Sequence, residues 1–166
     1  METIVVVIMT VFLGLITLVV LFNFFAAPVI KKEDYQLRRT PLVSVLIPAR
    51  NEEANIGGCL SHVLNQSYTN TEVIVLDDQS EDRTYEIVEK LQKGHSNLNL
   101  FRGKDLPRGW NGKNWACHQL AQKARGEIII FVDADCILAP WTIASALTMM
   151  ERYGLDLLSS FPTQKL

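Results

Sequence analysis

Three apolar runs suited to β-strands each end in a cluster of Asn, Glu or Asp, and this recurrence constrains the fold more than any other feature. VSVLIPA is followed by Arg50-Asn51-Glu52, EVIVL by Asp77-Asp78, and EIIIFV by Asp133-Ala134-Asp135. The stretches between carry apolar residues at helical spacing, such as Ile56, Leu60 and Val63, or Ile87, Val88 and Leu91. Strands that alternate with helices form a mostly parallel sheet with helices on both faces. The carboxyl ends of such strands meet along one edge, where ligands bind. Acids gathered there repel one another, and two unit charges ~5 Å apart at an effective dielectric of ~20 cost about 3 kcal/mol. A divalent cation holding a diphosphate offsets that repulsion.

The pattern predicts strands over 43–47, 72–76, 98–101 and 127–132, with one more over 155–161. It predicts helices over 53–66, with Asn51 as N-cap, and over 81–93, capped by Ser80. Further helices follow over 113–124 and from Pro140 to Tyr153, and the Gly-rich stretch from Gly103 to Gly112 is a loop. No G-x-G-x-x-G follows the first strand, which disfavours a dinucleotide dehydrogenase.

Ahead of this array, residues Ile4 to Ala27 carry no charge. As a helix they extend about 36 Å, enough to cross a ~30 Å hydrocarbon core. Glu2 precedes the run, whereas Lys31, Lys32, Arg38 and Arg39 follow it. That is the opposite of a cleavable signal peptide, which starts basic. It places the N-terminus outside and the remainder in the cytoplasm, as a single-pass protein of the cell membrane. The expected organisation is a transmembrane helix over 3–28, a linker over 29–41 and an α/β domain over 42–166. The net charge of −2 gives no reason to expect a nucleic-acid surface. The cysteines (Cys59, Cys117, Cys136) and histidines (His62, His95, His118) lack metal-ligand spacing.

Four groups carry candidate chemistry. Asp133 and Asp135, two apart at a strand end, point to the same side and suit Mg²⁺ or Mn²⁺ held by one or two carboxylates plus phosphate oxygens. The bland alternative has one capping a turn and the other solvated. Asp77-Asp78 suits a cap for the following helix and a ligand contact at once, with Asp77 turned to the loop and Asp78 to a ligand, where it accepts from a base or ribose. Lys113, at the start of a helix, meets a phosphate or is simply solvated. Trp110 and Trp115 argue for packing or for stacking on a ligand.

Together the runs VSVLIPARNEE, VIVLDDQSED, GWNGKNWAC and GEIIIFVDADC resemble the family 2 glycosyltransferases of GT-A fold. The branch they look most like is the membrane-anchored enzymes that glucosylate carotenoids and related lipids. The resemblance implies a Rossmann-like nucleotide-sugar-binding domain. It implies that Ala49, Arg50 and Glu52 meet the nucleoside, that Asp78 contacts uracil and that Lys113 touches the nucleotide. Asp135 becomes the direct metal ligand, with Asp133 on the ribose or diphosphate side. The implied reaction moves a sugar, glucose at the family level, from a UDP-sugar to a lipid or carotenoid-like hydroxyl, with inversion and a divalent metal. In the family the catalytic base lies well downstream of D-x-D, so it is expected beyond residue 166, in an acceptor half that this chain lacks. Two rivals follow: a nucleotide-sugar-binding module without turnover, and a haloacid-dehalogenase-like phosphatase suggested by VDADCI.

Overall fold

The computed structural model describes residues 2–26 and 37–160, which fall in two compact units, residues 1–31 and 32–166. The first unit is a single helix, α1 (Glu2–Ala26). Within its stretch Thr3–Phe25 an 18-residue window reaches a mean hydropathy of 3.2, and the stretch is long and apolar enough to cross a membrane. The hydroxyls of Thr10 and Thr17 donate to the carbonyls of Val6 and Leu13 one turn earlier, so neither is left unpaired in an apolar medium. Lys31 and Lys32 lie outside the described residues, as do positions 27–28 of the expected helix and 29–36 of the expected linker.

The second unit alternates strands and helices in chain order. These are β1 (Val43–Ala49), α2 (Ile56–Leu64), β2 (Thr71–Asp77), α3 (Thr84–Gln92), β3 (Leu98–Arg102), α4 (Gly112–Ala121), β4 (Ile128–Phe131) and α5 (Thr142–Tyr153). All four strands are parallel, in the order β3-β2-β1-β4. Period-two alternation sorts the central side chains to two faces. Val43, Val45 and Ile47 pack with Leu60, Val63, Val88 and Ile143 on one face. Leu46, Ile74 and Leu76 pack under Ala116 and Leu120 of α4 on the other. The continuous apolar runs of β1 and β2 reflect burial on both sides.

The chain builds outward from β1 through β2 to β3, then returns to lay β4 on the other side of β1. A crevice therefore opens at the carboxyl ends of β1 and β4, where the winding reverses. The amino ends of the same strands are clamped. Ser44 Oγ donates to Glu72 Oε1 at 2.6 Å, and the backbone N–H and Nε of Arg125 donate to the same carboxylate at 2.7 and 2.8 Å. The Gly126 N–H donates to Ser44 Oγ at 2.8 Å. A Cβ at position 126 would stand 2.6 Å from the Ser44 nitrogen, so only glycine fits there.

Several expectations need correction. Residues 155–160 form no strand, and Phe161 lies outside the described residues. The helices begin later than the pattern predicts, at Ile56 and Thr84, because neither expected cap acts as one. Asn51 (φ 54°) and Ser80 instead join two loops, described below. The run 127–132 is the most apolar by sequence, yet β4 is an edge strand. Ile129 and Phe131 share the face of Leu46, where α4 packs over β1 and β2, but remain exposed because α4 does not extend over β4.

Burial alone would raise the Glu72 carboxyl, but the bonds from Ser44 and Arg125 outweigh it and hold it below the usual range. A lowered folded-state pKa contributes stability that is present above the unfolded value, ~4.3, and lost as pH falls through the lowered one. Glu72→Gln is expected to cost about 1–3 kcal/mol at pH 7, through donors left poorly matched. It is also expected to flatten the loss of stability below about pH 4. Thermal unfolding of both proteins across that range checks it.

Candidate functional site

At the carboxyl edge of the sheet a cleft of about 310 Å³ is lined by Pro48, Ala49, Arg50, Glu52, Asp78, Gly112, Lys113, Ala116, Asp133, Ala134 and Asp135. Ala49, Arg50, Glu52, Asp78, Lys113, Asp133 and Asp135, the site residues implied by the resemblance, all lie on it, whereas Asp77, Trp110 and Trp115 do not. Ala49 ends β1, Asp78 follows β2, Asp133 and Asp135 follow β4, and Lys113 stands in the first turn of α4. Parallel pairing sets their height: Ala49 is in register with Asp77, and the Asp78 N–H donates to the Ala49 carbonyl at 2.8 Å.

Two loops form one wall. The Asn51 N–H donates to Ser80 Oγ, and the Glu81 N–H donates back to Asn51 Oδ1. The Glu52 N–H donates to Thr84 Oγ1 at 2.7 Å, the Glu53 N–H to Asp82 Oδ2, and Arg83 to Glu53 through its N–H and Nε. These reciprocal bonds hold Asn51 and Gln79 in the left-handed region, with φ of 54° and 58°. They fix the directions in which Arg50 and Asp78 leave their strands. The helix start at α3 is served by Asp82, whose Oδ1 accepts from the Thr84 N–H.

Asp78 is the more enclosed carboxylate of the cleft. Arg50 lies 4.0 Å from it, with the guanidinium largely in solvent. Gly103 and Gly112 flank it: a Cβ on Gly103 would stand 3.1 Å from Asp78 Oδ1, and one on Gly112 3.8 Å from Oδ2. Gly103, in sequence simply part of a Gly-rich loop, does not line the cleft but leaves room behind the Asp78 carboxylate. Its neighbour Asp77 is not turned to the loop. It is buried, with Oδ1 unpartnered, and its carbonyl accepts from the Gly103 N–H.

On the opposite wall, Ala134 is buried while Asp133 and Asp135 are exposed on either side of it. The Asp133 carbonyl accepts from the Cys136 N–H at 3.0 Å and from the Cys59 thiol at 3.6 Å, which anchors the turn to α2. Lys113 Nζ lies 2.7 Å from Asp133 Oδ1. That hydrogen bond, ahead of the opposing effect of burial, raises the lysine above its ordinary pKa. The Asn111 side chain caps α4 by accepting from the Lys113 N–H.

Among the described residues no group of three or more His, Cys, Asp and Glu side chains is placed to hold a metal. Two carboxylates on one wall do not make a closed cage. They fit a hard cation such as Mg²⁺ or Mn²⁺ that takes its remaining ligands from phosphate oxygens and water.

The sequence profile described as glycosyl transferase family 2 matches residues 44–163. The chain belongs to that family. It is 34% identical over 114 residues to the beta-monoglucosyldiacylglycerol synthase of Trichormus variabilis, covering 68% of this chain and 24% of the relative. Two solved structures share the fold. A Pyrobaculum calidifontis mannosyltransferase in complex with GDP-Man and Mn²⁺ superposes with a TM-score of 0.59 at 29% identity, over 72% of this chain and 36% of that one. TarS 1–349 of S. aureus in complex with UDP-GlcNAc gives 0.55 at 30%, over 68% and 32%. The chain thus spans about a quarter to a third of the length of these proteins. Its architecture is GT-A, as the strand and motif order implied. The family 2 match also sets aside the phosphatase reading of VDADCI.

The Cys59 thiol is pushed up to about 12, first by burial and then by the negative charge of Cys136, Asp135, Asp133 and Glu52. Burial also raises Cys117 and Cys136. Cys59 is expected to stay unreactive toward a disulfide reagent at pH 8 in the native chain and to react fully on unfolding. Following thiolate release by absorbance checks this; prompt labelling of Cys59 would mean that the cleft wall opens.

Proposed function

We propose that this chain is the donor-binding part of a membrane-anchored, inverting, metal-dependent glycosyltransferase that moves glucose from a UDP-sugar to a lipid hydroxyl. The observation that carries the reading is the single cleft on which Asp78, Lys113, Asp133 and Asp135 converge at the reversal of a parallel sheet. Its support for the donor is chemical. Asp78, flanked by two glycines, accepts from a base N–H, while Ala49, Arg50 and Glu52 border the nucleoside. Lys113 and the capped start of α4 present positive charge to a diphosphate. A relative named for glucosyl transfer to diacylglycerol, and a helix of membrane-spanning length, support the lipid acceptor. The N-terminus is then outside and the cleft cytoplasmic.

The chemistry follows from charge. As the glycosidic bond to the nucleotide breaks, negative charge grows on the departing diphosphate, and Lys113 stabilises it from a site largely preset by its partner Asp133. Asp135 and Asp133 would hold the divalent cation, which when bound supplies further neutralisation of that leaving group. The acceptor hydroxyl attacks the opposite face of the sugar, giving inversion, and a base must take its proton. No described residue is assigned that role. A nucleotide-sugar-binding module without turnover is the second reading, since the groups gathered on the cleft all suit holding a donor.

Asp135→Asn is expected to remove the Mn²⁺ dependence of UDP binding, measured by calorimetry with and without the ion. Unchanged affinity would take the metal role from Asp135. Asp78→Ala is expected to weaken uridine and UDP by about tenfold or more, as loss of a charge-assisted hydrogen bond does, while leaving pyrophosphate nearly unaffected. Equal losses for UDP and pyrophosphate would sink the base contact. Release of UDP from UDP-glucose in the presence of a lipid acceptor separates turnover from binding alone.

A further inference from the structure

The segment from Arg102 to Arg125 carries Arg102, Lys104, Arg108, Lys113, Lys123 and Arg125 against Asp105 alone, in a chain of net charge −2. Two of these cations are committed inward, Lys113 to Asp133 and Arg125 to Glu72. Two more lie over aromatic rings, Arg102 on Tyr85 and Lys123 on Phe101. Lys104 and Arg108 are exposed, on the loop that leads into α4. The same loop exposes large apolar groups, Leu106 at 54% and Trp110 at 42%.

This loop is built rather than loose. The Lys104 N–H donates to Gln119 Oε1 at 2.8 Å, and Trp115 Nε1 donates to the Lys104 carbonyl at 3.1 Å. Gly109, at φ 84°, closes a turn in which the Trp110 N–H reaches the Pro107 carbonyl. Trp110 then rests on Trp115 and His118, with ring centroids 5.2 and 5.0 Å away. At 100° per residue Trp115 leaves α4 about 200° around from Lys113, and none of Trp110, Trp115 and His118 lines the cleft. A tryptophan held at the surface beside a leucine and two cations that make no ion pair among the described residues is costly to leave in water. It has the composition of groups that sit at the headgroup level of a bilayer.

We propose that the 104–110 loop and the outer face of α4 form a peripheral docking surface for an anionic lipid leaflet, with Leu106 and Trp110 entering the interface and Lys104 and Arg108 meeting headgroup charge. Charge complementarity selects the partner. The helix α1 supplies the proximity: residues 26–41 reach at most about 50 Å when fully extended, so the domain stays near the bilayer that α1 enters. The proposal takes its proximity argument from the membrane-anchor reading, while the surface itself is tested apart from that reading and from the sugar chemistry. Docking would bring the cleft beside a lipid surface, on the other side of α4.

The test uses the full chain with vesicles of phosphatidylcholine, with or without phosphatidylglycerol, made from brominated lipids that quench nearby tryptophan. Trp115→Phe/Trp141→Phe isolates Trp110; the same titration on the native three-tryptophan chain covers the case in which that variant misfolds. The expected result is quenching in anionic vesicles only, reversed by salt. Lys104→Gln/Arg108→Gln is expected to lower the ratio of docked to free domain about fivefold per charge removed, roughly thirtyfold together. Flotation with neutral vesicles reads α1 separately. A chain that floats but shows no quenching, or equal quenching without phosphatidylglycerol, overturns the docking surface and leaves the anchor standing. A chain that floats with neither vesicle overturns both. Failure to float with neutral vesicles, together with quenching in anionic ones, removes the anchor and keeps the surface.

Discussion

Strand β1 is buried on both faces and paired in parallel on both edges, and the height at which it ends sets the position of everything else. Its register with β2 places Ala49 beside Asp77, and its register with β4 ends that strand just short of Asp133. The opposite end of β1 is equally constrained, because Ser44 links the buried Glu72 carboxylate to the Gly126 turn. A slip of one residue would turn Leu46 toward α2, point Ser44 to the wrong layer and break the clamp. The clamp and the cleft lie at opposite ends of one sheet, so the charged network far from the ligand edge defines where that edge is.

At the cleft the repulsion among acids is handled locally. Asp133 has Lys113 as an immediate counter-charge, and Asp78 has Arg50 at longer range. Among the described residues Asp135 makes no such ion pair, so its charge is left for solvent or a bound cation to offset. The three thiols respond to the same field: Cys59 and Cys136 are raised by both Asp133 and Asp135, and Cys117 by Asp133. A nucleoside diphosphate with its metal would bring both signs of charge into this arrangement, with Lys113 positioned between carboxylate and phosphate.

Four of the five expected strands and the residues that meet at the cleft were legible because each rests on a local rule. Apolar runs such as VIVL favour burial on both faces, and parallel winding collects their carboxyl ends. The loop chemistry was less legible. Asn51 and Ser80 stand where helix caps usually stand, and capping is the commoner use of those side chains. Here tertiary pairing takes them: each serves the other's loop, and the helices begin several residues later. Gly103 was passed over for a related reason. Its meaning lies in the Asp78 carboxylate across from it, and no local pattern reports a neighbour so distant in sequence. The edge position of β4 was hidden in the same way, since the run IIIF does not disclose which face lacks a covering layer. The roles of Asp133 and Asp135 toward a metal depend on a partner molecule, and geometry alone fixes only their common wall.

The reciprocal bonds between the 50–55 and 78–84 loops have one more effect. Both segments are already locked into left-handed turns at Asn51 and Gln79 before anything enters the cleft. The backbone freedom surrendered there is lost once, during folding, and not a second time on association. That wall of the cleft is thus preset, and what it adds to recognition depends on fit to a fixed outline.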